Sequence, residues 1–462
     1  MTTGSISLPA LDSPALAAPA AELAQRRNRL LDRLPEDALV LVRGARPGAS
    51  GRRFRQSNEF WYLTALETPG AYLLLDARSR QSTLYVPHRD PLRERSDGPS
   101  PAAEDADDLR AATGADRVVG IDRLPLEVGA ALFRAKRPVY TPLAPAETEA
   151  VSRDSALAAA GWSASDPFDD TPTVEGALAA ALAHRFPQAE VRDLSPLLDS
   201  ARLLKSPHEL ELMRRAARIC GEAVIEAMRS TEPGVREHEL EAIADFVYRQ
   251  RGARGAGYAA IVAGGANAWH GHYNANDSEL EDGDLVLMDY APDFAYYTSD
   301  IGRMWPVNGR YSAWQRELYG FVVAYHGELL SRIRPGVTPD EILAGAADAM
   351  RARLAELGAS TPSYRAAFED AFAFAGHLSH PVGMAVHDVG DYRGRPLEPG
   401  LVFSIDPMIW VPDERLYVRV EDTVAVTEDG VENLTGFVPL ALDDVEALMR
   451  EPGLLQHWRA RS

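Results

Sequence analysis

The sequence predicts an α/β domain followed by an α+β domain, the second a curved antiparallel sheet with helices over one face. Three observations carry this. At 462 residues the chain is too long for one ordinary domain and has material for two cores. Short apolar runs alternate with helical patterns through residues 21–195. From residue 196 onward, long amphipathic helices enclose hairpin-like stretches, the mark of helices laid on an antiparallel sheet.

In the first domain, residues 38–44, 60–66, 71–76 and 82–87 read as strands, being short apolar runs with turn-rich borders. Residues 21–34, 126–135 and 174–186 read as helices. The polar stretch 93–108 reads as a loop, and 148–173 as irregular in part. The second domain opens at Ser206-Pro207-His208-Glu209, where N-cap serine, N1 proline and N3 glutamate form a capping box ahead of a helix over 209–230. A helix over 237–252 follows Glu232-Pro233-Gly234, and two more cover 314–333 and 339–358. Residues 1–20 read as a flexible extension rich in Ala, Pro and Ser.

Composition excludes several classes. A net charge of −20 with no basic stripe argues against nucleic acid. No run approaches the ~18 unbroken apolar residues of a membrane span. The N-terminus lacks a basic n-region and an apolar h-region, so it is a poor signal peptide and a cytoplasmic enzyme is expected. Cys220 is the single cysteine, so no internal disulfide forms, and its helical setting suits packing as a small apolar residue.

The chemistry concentrates in two hairpins. Asp289 and Asp300 flank a turn centred near Phe294 and Ala295, and Asp406 and Glu421 flank one centred on Asp413 and Glu414. Regular hairpins would place each pair of acids opposite, where like charges roughly 4.5–5.5 Å apart at Cβ repel. Burying such pairs beside runs like LVLM demands a cation between them. An isolated acid in a chain with 68 of them is ordinarily a solvated charge, and Asp422 reads as solvated or as an outer neighbour. Asp289 resists that reading because it ends an apolar run. His380 and His387 flank the apolar VGMAV stretch between the two hairpins. Four carboxylates and an imidazole form an oxygen-rich set suited to two divalent ions, Mn²⁺ above all, with Co²⁺, Fe²⁺ or Zn²⁺ also compatible.

These segments resemble the aminopeptidase P and prolidase group of pita-bread metallopeptidases, specifically the bacterial aminopeptidase P branch. The resemblance runs from about residue 21 to 445. It rests on FRQSNEFWYLTALETPGAYLLLD, RLLKSPHELELMRRA, the first hairpin, HLSHPVGMAVHDVG and VRVEDTVAVTEDGVENLT, in order and spacing. It implies a pita-bread (creatinase/aminopeptidase-like) catalytic domain with metal ligands at Asp289, Asp300, His380, Asp406 and Glu421. It further implies substrate-contacting histidines at His272 and His387, an arginine near the site at Arg419, and Trp410 at the pocket wall. The implied activity is release of the N-terminal residue from peptides with proline second, by a hydroxide activated between two metals. Relatives of this kind form homodimers or homotetramers.

The departures from the family pattern surround the site. Asp406 stands where the family has glutamate, also the proposed proton acceptor, and the shorter arm withdraws the carboxylate by over ~1 Å, a misplacement worth about 100-fold in rate if uncompensated. Gly302 replaces a ligand-orienting threonine. Gly376 stands for a histidine, with His377 displaced by one, and Met408 and Trp410 replace glycine and tyrosine. Two other readings stand beside the aminopeptidase: a related metal-dependent hydrolase of a non-standard amide with a remodelled pocket, and a non-catalytic pita-bread binding protein. Retention of a donor at all five ligand positions weighs against the last.

Overall fold

The computed structural model describes residues 17–47, 53–133 and 136–460. The extension expected over 1–20 therefore falls outside the description up to residue 16, as do the last two residues of the helix expected over 126–135.

The N-terminal part is built on a mixed six-stranded sheet. Its spatial order is Arg117–Gly120, Gln81–Val86, Tyr72–Asp76, Leu39–Arg43, Pro138–Thr141 and Glu190–Asp193. Antiparallel pairing joins the second to fourth of these, and parallel pairing extends the sheet at both edges. The strand expected over 60–66 is a helix, Asn58–Thr64, ended by Ala65 in the left-handed region. Its apolar residues gave no readable period because nearly every side chain is buried, Asn58 and Glu59 included. The expected loop at 93–108 contains the end of helix Pro91–Asp97 and the start of helix Ala106–Thr113, while 148–173 contains helix Arg153–Ser165.

The C-terminal part opens with helix Pro207–Ser230, and the capping box forms: Glu209 N–H donates to Ser206 Oγ at 3.2 Å and Ser206 N–H to Glu209 Oε2 at 2.9 Å. Helices Glu237–Gln250, Ala313–Leu330 and Pro339–Leu357 appear as expected, with Pro362–Ala373 in addition. The sheet is antiparallel throughout, in the order Val402–Ile405, Glu421–Val426, Ile301–Pro306, Leu285–Asp289 and Ile261–Gly264, with Val431–Asn433 on the second strand. Its central strands are buried along their whole length, polar residues such as Arg303, Glu421 and Asp422 included.

A single apolar core joins the two parts, from Val40 and Phe60 through Met213 and Met288 to Phe403. A smaller core around Leu41, Tyr85 and Leu132 covers the other face of the N-terminal sheet. Buried charges add to the seam. Arg202 pairs with Glu147 and, at 2.5 Å, with Asp388, which also takes Lys205 at 3.0 Å.

Candidate metal centre

The sheet register builds the site. Asp289 pairs with Gly302, and Gly302 with Glu421. The hairpin Met408–Val411 and Leu416–Arg419 is in register with the pairing of Ile405 and Asp422, so Asp406 lies opposite Glu421, as the sequence places it. Asp289, Gly302, Glu421 and Asp406 thus form one row across neighbouring strands, and residues in such a row share a face. Asp300 and Arg419 sit two residues from that row, on the same face at opposite ends.

The first hairpin departs from expectation. Asp289 faces Gly302 rather than Asp300, because the turn is centred on Ala295 and Tyr296, one residue further on. Both turn residues have positive φ, 52° and 74°, without a glycine to favour it. Contacts from the N-terminal part hold Tyr296 there: its ring stacks on Trp61 at 3.9 Å, and its hydroxyl accepts the Gln56 N–H at 2.8 Å. Asp289 and Asp300 are consequently diagonal neighbours. Tyr258 bridges them, donating to Asp289 Oδ1 at 2.6 Å and lying 3.0 Å from Asp300 Oδ1.

Among the described residues, Arg419 is the one arginine or lysine paired with these acids, reaching Asp289, Asp406 at 3.5 Å and Glu421 at 3.4 Å. Gly302 makes this possible. A Cβ there would lie 3.0 Å from Glu421 Cβ and 3.2 Å from Arg419 Nε, so the space a threonine would claim is taken. His380 completes the group, its Nε2 3.3 Å from Asp300 Oδ2 and 3.9 Å from Glu421 Oε1. With Nδ1 directed at the Pro381 carbonyl, 3.2 Å away, Nε2 presents a lone pair to the carboxylates.

The fit of this set to divalent ions is tested by what the protein leaves unsatisfied. Among the described residues, Asp406 Oδ1 and Glu421 Oε2 are buried without a hydrogen-bond partner, a costly state for acceptors that the Arg419 ion pair at 3.4 Å eases only for Glu421. One donor atom each from Asp300, His380 and Glu421 fall within 4.8 Å of one another. Burial, with repulsion from neighbouring acids, lifts Asp300 and Glu421 well above the carboxylate range and Asp406 to about 6. Burial, then the adjacent His387, pushes His380 down to about 3, leaving the imidazole neutral and able to ligate. The donor set fits hard divalent ions.

These shifts set a pH dependence. An acid whose pKa is raised by folding favours the folded state most below its unfolded value near ~4, and that contribution is lost as pH rises through the folded value, about 6 for Asp406. Metal must displace these protons. Metal affinity is therefore expected to rise from pH 5 to pH 8, and metal should raise the melting temperature more at pH 8. Calorimetric titration at several pH values checks this; a flat profile would mean that the acids are ionised without metal.

The remaining predicted histidines lie beside His380, and Trp410 packs in an aromatic cluster. The His387 ring lies 4.2 Å from that of His380 and 6.3 Å from that of exposed His272, measured between centroids. Trp410 packs edge-on against Trp269 at 5.0 Å and tilts over Tyr417 at 4.2 Å, while Met408 Sδ accepts the Tyr417 hydroxyl. Gly376 has φ 102°, which a histidine would adopt only under strain, and the displaced His377 meets Phe374 edge-on. Asp422 is buried, not solvated: it takes Arg303 at 2.6 Å, His326 at 3.0 Å and Thr435 at 2.5 Å, and these hold its carboxyl below the usual range despite burial. Tyr258, Arg303 and His326 escaped the sequence reading because only the pairing of distant strands and helix Ala313–Leu330 brings them here.

An antiparallel sheet carrying a row of buried carboxylates, with an imidazole brought against it, defines a pita-bread metallohydrolase. The chain belongs to metallopeptidase family M24, which residues 211–428 match, and residues 23–140 match the aminopeptidase P N-terminal domain. It is 34% identical to Xaa-Pro aminopeptidase 3 of Rattus norvegicus over 412 residues, covering 86% of this chain and 76% of that one. Identity to the Xaa-Pro aminopeptidase of Haemophilus influenzae is 32% over 458 residues, covering 93% and 97%. The structure of E. coli aminopeptidase P with the inhibitor Pro-Leu superposes with a TM-score of 0.75 at 28% identity, over 94% of this chain and 99% of that one.

Proposed function

We propose that this metal-dependent aminopeptidase releases the N-terminal residue from peptides whose second residue is proline. Asp289, Asp300, His380, Asp406 and Glu421 would hold two divalent ions, with Mn²⁺ the ion best matched to the donors. The observation that carries this reading is the set of buried carboxylates crowded around Arg419, with Asp406 Oδ1 and Glu421 Oε2 lacking a hydrogen bond among the described residues. When bound, such ions acidify a water and polarise the scissile carbonyl.

The chain's own groups do the rest. Asp406 Oδ1, buried and unpartnered, accepts the proton of the attacking water. His272 and His387, their rings 6.3 Å apart, stabilise charge developing at the scissile bond or relay a proton to the leaving nitrogen. Arg419 balances the carboxylates, pairing with both Asp289 and Asp406 and offsetting their mutual repulsion. Trp410, 38% exposed against Trp269 and Tyr417, offers a flat apolar wall suited to a prolyl ring.

The test is mass-spectrometric cleavage of a panel of Xaa-Pro and Xaa-Ala peptides by metal-stripped and Mn²⁺-reloaded protein. Metal-dependent release of the first residue only before proline is the expected result. Metal binding without cleavage would favour a non-standard amide, for which the bulk of Met408 and Trp410 is the motivating observation. Asp406→Glu provides a second check. It is expected to keep or raise kcat/KM, because the longer arm restores the family's reach. A loss of about 100-fold would mean that the site is built around the shorter side chain.

A further inference from the structure

His387 is not held by its own domain alone. Its Nδ1–H donates to Asp154 Oδ2 at 2.6 Å, and Asp154 lies in the first turn of helix Arg153–Ser165, in the N-terminal part. We propose that Asp154 is a positioning residue for His387, so that the N-terminal part supplies a working component of the active site. The proposal rests on the reading above that His387 acts on the substrate.

Geometry supports it from both sides of the pair. Arg153, next to Asp154, is buried and bound to Glu59 at 2.5 Å and Asp199 at 3.4 Å, with Glu147 at 3.9 Å. Asp388, next to His387, is buried and bound to Arg202 at 2.5 Å and Lys205 at 3.0 Å. Arg202 also pairs with Glu147. The chain Arg153, Glu147, Arg202, Asp388 therefore ties the backbone on one side of the Asp154–His387 hydrogen bond to the backbone on the other.

The consequence is chemical. A carboxylate accepting Nδ1–H selects the tautomer whose Nε2 carries the free lone pair, able to take up the proton released by the attacking water and hand it to the leaving nitrogen, and it fixes the plane of the ring. That ring lies 4.2 Å from the ring of His380 and 6.3 Å from that of His272. Without Asp154 the imidazole can rotate and exchange tautomers, and the group meant to serve the leaving nitrogen is misplaced for part of the time. The Asp154 side chain is 57% exposed, so its loss does not threaten folding.

The test uses full-length, metal-loaded enzyme and an Xaa-Pro peptide. Asp154→Ala is expected to lower kcat about 10–100-fold, as removal of an orienting partner does. KM, metal content and melting temperature should stay unchanged. Asp154→Asn, whose amide oxygen still accepts Nδ1–H, should recover most of the rate. In a His387→Ala background, Asp154→Ala should have no further effect. An undiminished kcat, or an equal loss with His387 absent, would overturn the proposal. Imidazole ¹⁵N shifts of His387, assigned with His387→Ala, add a readout independent of turnover. A single Nδ1–H tautomer is expected in the unsubstituted protein and a mixture in Asp154→Ala. An unchanged tautomer would overturn the proposal even if the peptide panel failed, so the two readings fail separately.

Discussion

Asp300→Ala is expected to lose metal and activity together, with kcat/KM down at least about 1,000-fold, since the Lewis-acid contribution is worth several kcal/mol. Asp300 sits two residues from the acidic row on the same face, 3.3 Å from His380 and 3.0 Å from the Tyr258 hydroxyl, with its backbone N–H anchored on Thr423 Oγ1 at 2.7 Å. That anchor is main chain and survives the substitution. The removed carboxylate is also one that burial and neighbouring acids destabilise in the metal-free protein. The metal-free variant should therefore melt at or above the metal-free parent, which separates loss of the centre from loss of the fold. Inductively coupled plasma measurement of bound metal beside the peptide assay reads both effects. Full metal content in an inactive variant would show that Asp300 is not a ligand.

Arg202→Met is expected to give the largest loss of stability. Arg202 is 1% exposed and lies between Glu147 and Asp388, themselves buried. Removing one partner strands charges that water cannot reach, at a cost of about 3–5 kcal/mol. For a protein of this size that lowers the melting midpoint by roughly 3–5 °C. Asp388 keeps Lys205, whereas Glu147, already pushed upward by burial, keeps only weaker contacts to Asn58 at 3.3 Å and Arg153 at 3.9 Å. Adding Glu147→Gln should accordingly restore part of the loss. A midpoint shift under about 2 °C for Arg202→Met would mean that the seam relaxes or hydrates freely.

The two hairpins mark how far the sequence could be read. The second ends in a turn at Pro412–Arg415, with Arg415 left-handed, and its alternation keeps one register from Val402 to Val426, so Asp406 and Glu421 meet as read. The first turns on two non-glycine residues in the left-handed region, and no local signal marks such a turn. Trp61, Arg55 and Gln56, over 200 positions earlier, hold Tyr296 in place, and that clamp shifts the register by two. The misread helix Asn58–Thr64 lies in the same seam, where burial on nearly all sides erases periodicity.

The sequence alone determined the fold class, the capped helix at Ser206, the carboxylate and histidine residues that gather, and the departures at Gly302, Gly376 and Asp406. Each is written in local patterning or in motif order. Tertiary structure decided what depends on separation along the chain: that Gly302 rather than Asp300 faces Asp289, that Arg419 fills the space Gly302 leaves, that Tyr258 bridges two acids, and that Asp154 reaches His387. Local sequence encodes the strands. Which rows of side chains meet is settled only when the sheet pairs and the two parts close on their shared core.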